Sequence, residues 1–222
     1  PIIQKIRSIP LNMVFADKDD IAWQVIGTYP VRAQGRGLMP SPGWTGAYDW
    51  TGLLAAADLP QAQNPPAGFI GTANNRTIPK DYPQVLSSSW YAPERAERIA
   101  QMASASDRHT VETCRDMQLD THSLFVPKLK AVLTCGAQAD AIRKEIGSWQ
   151  DEDRRGKALQ ALAMLQAFDG DMRTDSQAAA LVGAFLDRAL PNIFLDELGP
   201  VDSRAWKAFL VINNLDYNTT ID

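Results

Sequence analysis

The chain has 222 residues, 45% of them hydrophobic and 22% charged, which is enough for a packed core without covalent staples, in one large or two small domains. Its 22 basic and 26 acidic residues give a net charge of −4, and the basic ones are scattered through the second half, so a nucleic-acid partner is not expected. No apolar run of the roughly 20 residues that span a bilayer is evident and "PIIQKIRSIP" has no signal-like apolar region, so a soluble chain, cut from something longer, is expected with no membrane partner.

From Leu11 to about Asn75 the pattern is one of strands and turns. "LNMVFAD" and "DIAWQVIGTY" flank the polar residues 17–20 with β-branched and aromatic side chains, which predicts a hairpin. The aspartates of that turn lack the glycine and distal Glu of a calcium loop, so they are read as turn residues. Residues 33–52, rich in Gly and Pro with Trp44, Tyr48 and Trp50 interspersed, predict an ordered loop held by aromatic packing. "GFIGTA", residues 68–73, reads as a further strand, and Asn74 and Asn75 follow it directly. Two adjacent amides there mark either a turn, since Asn tolerates left-handed φ, or a site that aims a carboxamide N–H at a substrate oxygen.

After Pro93 the period becomes helical. "PERAERIAQMA" opens with Pro and Glu, suited to a helix N-terminus, and aligns Ala96, Ile99 and Ala103. Residues 110–133 predict a second helix kinked or broken at Pro127, and residues 159–168 a third, ended by "DGD". A fourth starts at Thr174 or Ser176 and runs to Leu190 with Leu181, Val182, Phe185 and Leu186 inward. Asp202 is read as the cap of a short fifth helix carrying Trp206 and Leu210. The fold class expected is α+β: a β-rich segment over residues 1–92 and a helical segment over residues 93–222.

Chemistry-bearing residues are sparse. Cys114, Cys135, His109 and His122 fit no zinc spacing, and no metal is expected. Cys114 and Cys135 are either a disulfide in an oxidising compartment or two buried thiols. Asp116 and Asp120 share a helical face that reads as solvated rather than as a carboxylate pair.

In order and spacing, "FAD…IAWQVIGTYPVR", "PGWTGAYDWTGLL", "NPPAGFIGTANNR", "KDYP" and "PERAERI" resemble the penicillin acylase family of N-terminal nucleophile (Ntn) hydrolases. "MQLDTHS" and "FDGDMRTDSQAAAL" extend the likeness into the helical half. The resemblance implies part of an Ntn antiparallel sheet followed by a mainly helical region. It also implies hydrolysis of an amide between an acyl group and an amine, with the first residue of a self-cleaved β chain supplying both nucleophile and base. The family's oxyanion-hole asparagine falls on Asn74, and Asn75 is left as a turn residue. Arg95 matches an arginine held near that asparagine and the substrate, and Leu11 a position lining the acyl pocket.

The chain also departs from the family pattern. Pro1 has neither hydroxyl nor thiol, so the expectation is an interior piece of the β chain, inactive alone. Its expected partners are the remaining α and β chain segments and a small acyl amide, with exposed strand edges able to pair copies. Some members bind calcium through an aspartate where this chain has Leu86, so no cofactor is expected. A periplasmic or secreted location is implied by the relatives. The competing reading is a non-catalytic, mainly helical interaction module.

Overall fold

A computed structural model describes residues 5–6, 9–37, 39–87, 90–200 and 202–206. The chain divides into two compact units, Pro1–Ala105 and Ser106–Asp222.

In the first unit, β1 (Leu11–Ala16) and β2 (Ile21–Ile26) form the expected antiparallel hairpin, with Leu11 opposite Ile26 and Val14 opposite Trp23. The turn is self-capped: Asp17 Oδ1 accepts the backbone N–H groups of Asp19 and Asp20, each at 2.8 Å. Those two bonds, Asp19's first, hold the Asp17 carboxyl below the ordinary aspartate range. A short strand, β5 (Gln61–Gln63), pairs with the other edge of β2, giving the order β1-β2-β5.

A second, two-stranded sheet joins β3 (Pro30–Arg32) to β4 (Trp50–Leu53). This corrects the reading of residues 33–52 as a loop packed by its aromatic rings. Trp44 is 90% exposed and Trp50 63%, so the tryptophans contribute little packing, and only the half-buried Tyr48 ring, beside Gly35, packs as expected. The span is instead closed by the β3–β4 ladder, by Asp49 N–H to Gly46 O at 3.2 Å, and by the Arg32 guanidinium 5.9 Å over the Trp50 ring.

Residues 68–73 form no strand ladder among the described residues, a second correction. The N–H of Ala73 goes instead to the Asn75 side chain. Helix α1 (Glu94–Ala103) lies against this segment, for a Cβ added at Gly71 would sit 2.8 Å from Ile99 Cγ2. Only glycine permits that approach. The small core beneath is Val25, Tyr29 and Leu59, joined by Trp23, Leu54 and Leu86.

Among its described residues the second unit contains α2 (Val111–Gln118), α3 (Phe125–Thr134), α4 (Gly136–Ser148), α5 (Glu152–Ala167) and α6 (Gln177–Leu198), with helical residues again at 204–206. Thr110 and Thr113 form a reciprocal capping box on α2. The stretch 110–133 is broken, as one of the two expected alternatives had it, but the break lies ahead of Pro127, which sits in the first turn of α3 where its missing N–H forfeits no intrahelical bond. Helix α4 was not foreseen. Helix α5 starts earlier than expected because Asp151 caps it, accepting the Arg154 N–H at 2.9 Å.

Ser176 caps α6, and the helix continues past Leu190 through Pro191. Asn192 Nδ2 donates to the Arg188 carbonyl at 2.8 Å, supporting the backbone beside the proline. An 18-residue stretch of α6 reaches mean hydropathy 1.4, apolar enough to cross a membrane by length and composition, as the core helix of a globular unit also can be, against the expectation that no such run is present. Here its Ala179 and Val182 complete the unit's core with Phe125, Leu129, Leu165 and Phe168. The last described turn is capped by Ser203, whose Oγ accepts the Trp206 N–H at 3.0 Å, rather than by Asp202. Leu210 lies outside the described residues.

The two helical-half motifs pair with each other. Ser123 N–H bonds Gly170 O at 2.9 Å, and Met172 N–H bonds Thr121 O at 3.0 Å. Gly170 has φ +93°, and a Cβ there would come within 3.2 Å of Ser123 O. Cys114 and Cys135 are both free and both exposed, so neither the disulfide nor the buried-thiol reading holds. Asp116 pairs with Arg115 at 3.1 Å in solvent, as a charged face should.

Candidate active site

The first unit carries a cleft of about 350 Å³, and two of the three residues singled out in the sequence line it. Leu11 enters from the start of β1 and is half exposed. Asn74 enters from the turn after residues 68–73, with φ +61° and an exposed side chain. The turn and site alternatives therefore meet in one residue: the left-handed backbone is the turn, and it leaves the carboxamide on the cleft wall. That carboxamide makes no hydrogen bond with the described residues, so its donors are available.

Two contacts hold the backbone around Asn74. Its carbonyl accepts the Tyr91 N–H at 3.1 Å, and Asn75 Oδ1 reaches back across it to the Ala73 N–H at 3.1 Å. Asn75 also donates to Arg76 O at 3.3 Å and bridges to Tyr91, consistent with a turn residue.

Arg95 does not line the cleft. It is exposed on the first turn of α1, with its guanidinium 5.7 Å over the Tyr91 ring, and Tyr91 is what touches the cleft. Its link to Asn74 thus runs through Tyr91.

Reading the sequence missed Tyr29, Trp90 and Tyr91 as lining residues. Tyr29 belongs to the core, being 7% exposed, and burial first, then the charge of Tyr82, pushes its phenol above the ordinary tyrosine range. Its position in "IGTYP" carries no signal that would separate a core ring from a lining one.

The walls are mixed, with Leu11, Val25, Leu86 and Trp90 against Asn12, Thr77 and Ser87. Among the described residues no imidazole, amine or carboxylate lines the cleft, so none of them is placed as a general base for the Ser87 or Thr77 hydroxyl. Such a surface can bind an acyl group and polarise its carbonyl. It needs a nucleophile from elsewhere.

Leu86, at the calcium-aspartate position of some relatives, packs against the Val25–Tyr29–Leu59 core and offers no oxygen ligand. No cluster of three His, Cys, Asp or Glu side chains fit for a metal occurs among the described residues. The residues do not fit a calcium site at this position.

Comparison with known proteins adds the following. A family model described as penicillin amidase matches residues 2–220. The acyl-homoserine lactone acylase QuiP of Pseudomonas aeruginosa is 49% identical over 99% of this chain and 26% of its own length. QuiP of Pseudomonas fluorescens strain Pf-5 is 45% identical over 99% and 27%. The penicillin acylase 2 proenzyme of Pseudomonas sp. strain SE83 is 35% identical over 82% and 22%. A thermostable penicillin G acylase from Alcaligenes faecalis superposes with a TM-score of 0.57 over 90% of this chain and 35% of that one. At 21% identity this shows a common α+β fold. The chain spans about a quarter of the length of the curated relatives it matches.

Proposed function

The chain belongs to the penicillin amidase family, and we propose that it supplies the oxyanion-hole asparagine and part of the acyl pocket of an amidohydrolase that works through an acyl-enzyme. Relatives named acyl-homoserine lactone acylase, 49% and 45% identical, support an N-acyl homoserine lactone as the first substrate to try.

Attack on the acyl carbon moves negative charge onto the carbonyl oxygen. A carboxamide N–H aimed at that oxygen donates a bond that strengthens as the charge grows, and it never titrates. Leu11, Val25 and Trp90 offer apolar surface to the acyl group. The nucleophile and its base belong to a part of the parent enzyme outside this chain, and by family likeness we place that parent in the periplasm.

The observation carrying this reading is Asn74: a left-handed residue with unengaged amide donors on the wall of a cleft in which the described residues supply no base. The test is Asn74→Gly in the full-length enzyme, because glycine suits φ +61° better than any other residue and so removes the side chain, carboxamide included, without straining the turn. A fall in kcat of about a hundredfold or more is expected, with KM nearly constant. Turnover within twofold of the parent would overturn the assignment.

A further inference from the structure

The turn after residues 68–73 contains two asparagines, and only one has been given a chemical task. The other is built into the turn more tightly. Asn75 is half-buried, and its side-chain carbonyl takes the N–H of Ala73, a residue 3% exposed, at 3.1 Å. The bond arches over Asn74 from the residue after it to the residue before it. On the far side the Asn74 carbonyl is taken by the Tyr91 N–H at 3.1 Å. The chain is therefore held one residue before Asn74, at the Ala73 N–H, and at the carbonyl of Asn74 itself, while the Asn74 side chain makes no hydrogen bond with the described residues.

That matters because φ +61° is a conformation a residue with a Cβ leaves readily. Without the arch, Asn74 would relax toward ordinary backbone angles and swing its carboxamide along the cleft wall. A hydrogen-bond donor displaced by an ångström from a developing oxyanion loses most of its effect, while ground-state contacts with the substrate change little.

We propose that Asn75 is a positioning residue: its side-chain carbonyl, bonded to the Ala73 amide, sets the angle at which Asn74 presents its carboxamide to the reacting carbonyl. The proposal rests on the oxyanion reading of Asn74. It predicts an effect on kcat that passes entirely through Asn74.

The experiment is a double-mutant cycle in the full-length enzyme, with an N-acyl homoserine lactone as substrate and kcat and KM measured separately. Asn75→Ala is expected to lower kcat about tenfold, with KM within twofold. In an Asn74→Gly background the same substitution is expected to cost nothing further, since no carboxamide remains to be aimed. An unchanged kcat in Asn75→Ala, or equal losses in both backgrounds, overturns the positioning role while leaving Asn74 as oxyanion donor. Full activity in Asn74→Gly overturns both together. Should Asn75→Ala not fold, Asn75→Gln runs the same cycle, being neutral and amide-bearing but one methylene too long to keep the carbonyl in place.

Discussion

Left-handed backbone at a residue bearing a Cβ costs about 1–2 kcal/mol, and asparagine is among the few side chains that visit it routinely. Asn74 occupies that region on the wall of the cleft, and the cost is offset by hydrogen bonds on both sides of it. The turn itself was legible from two adjacent amides. Which amide faces the cleft was read only from the family likeness, because both have the same side chain and no local pattern separates them. Tyr29 yields a separate expectation. Its phenol keeps its proton to higher pH in the folded chain than the roughly pH 10 of an unfolded one, so the folded state binds more protons in that window. Stability from this group is complete below about pH 10 and is lost as pH rises toward the folded value. Thermal melts between about pH 9 and 11 should show Tm falling in the parent chain and falling less in Tyr29→Phe, with Tyr82, shifted the same way, retaining part of the slope. Equal slopes would exclude the buried phenol as a source.

The elements read best where one periodicity dominates. The β1–β2 hairpin alternates cleanly around a polar turn, and α6 has both a serine cap and an apolar face. Helix α4, "GAQADAIRKEIGS", escaped notice because only Ala139 and Ile146 are buried in it, a stripe too thin to stand out. Neither proline interrupts a helix: Pro127 stands in the first turn of α3, after the break, and Pro191 lies inside α6 with Asn192 beside it engaging the Arg188 carbonyl. Residues 68–73 look like a strand in composition, yet strand formation needs a partner, and the Ala73 amide found a side chain instead. Leu129, 2% exposed, sits in the core shared by α3, α5 and α6. Leu129→Ala is expected to cost about 3 kcal/mol through the cavity it leaves. Urea unfolding should show a lower midpoint at constant slope, and a shift under about 0.5 kcal/mol would mean the core collapses to fill the space.

Across the whole chain, much apolar surface faces outward. Val14 is 59% exposed and Phe15 50%, both on β1, which has one edge unpaired among the described residues, and Trp44 is 90% exposed. Edges and patches of this kind invite strand addition. The isolated chain is therefore expected to self-associate in sedimentation velocity at micromolar concentration, and Val14→Lys to shift it toward monomer. A monodisperse parent chain would refute this. The same preparation is expected to release no acid from phenylacetyl or fatty-acyl amides, since the described residues of its cleft supply no general base. Turnover that disappeared in Asn74→Leu would contradict the need for an outside nucleophile. The sequence by itself determined the α+β class, the hairpin, the starts of α1, α2 and α6 and the family, because these depend on local periodicity, capping and ordered motifs. Tertiary structure alone decided that Leu11 and Asn74, far apart along the chain, share one cleft, that Arg95 reaches it only through Tyr91, and that both cysteines are exposed. Those outcomes depend on how distant segments meet, and no local pattern carries that information.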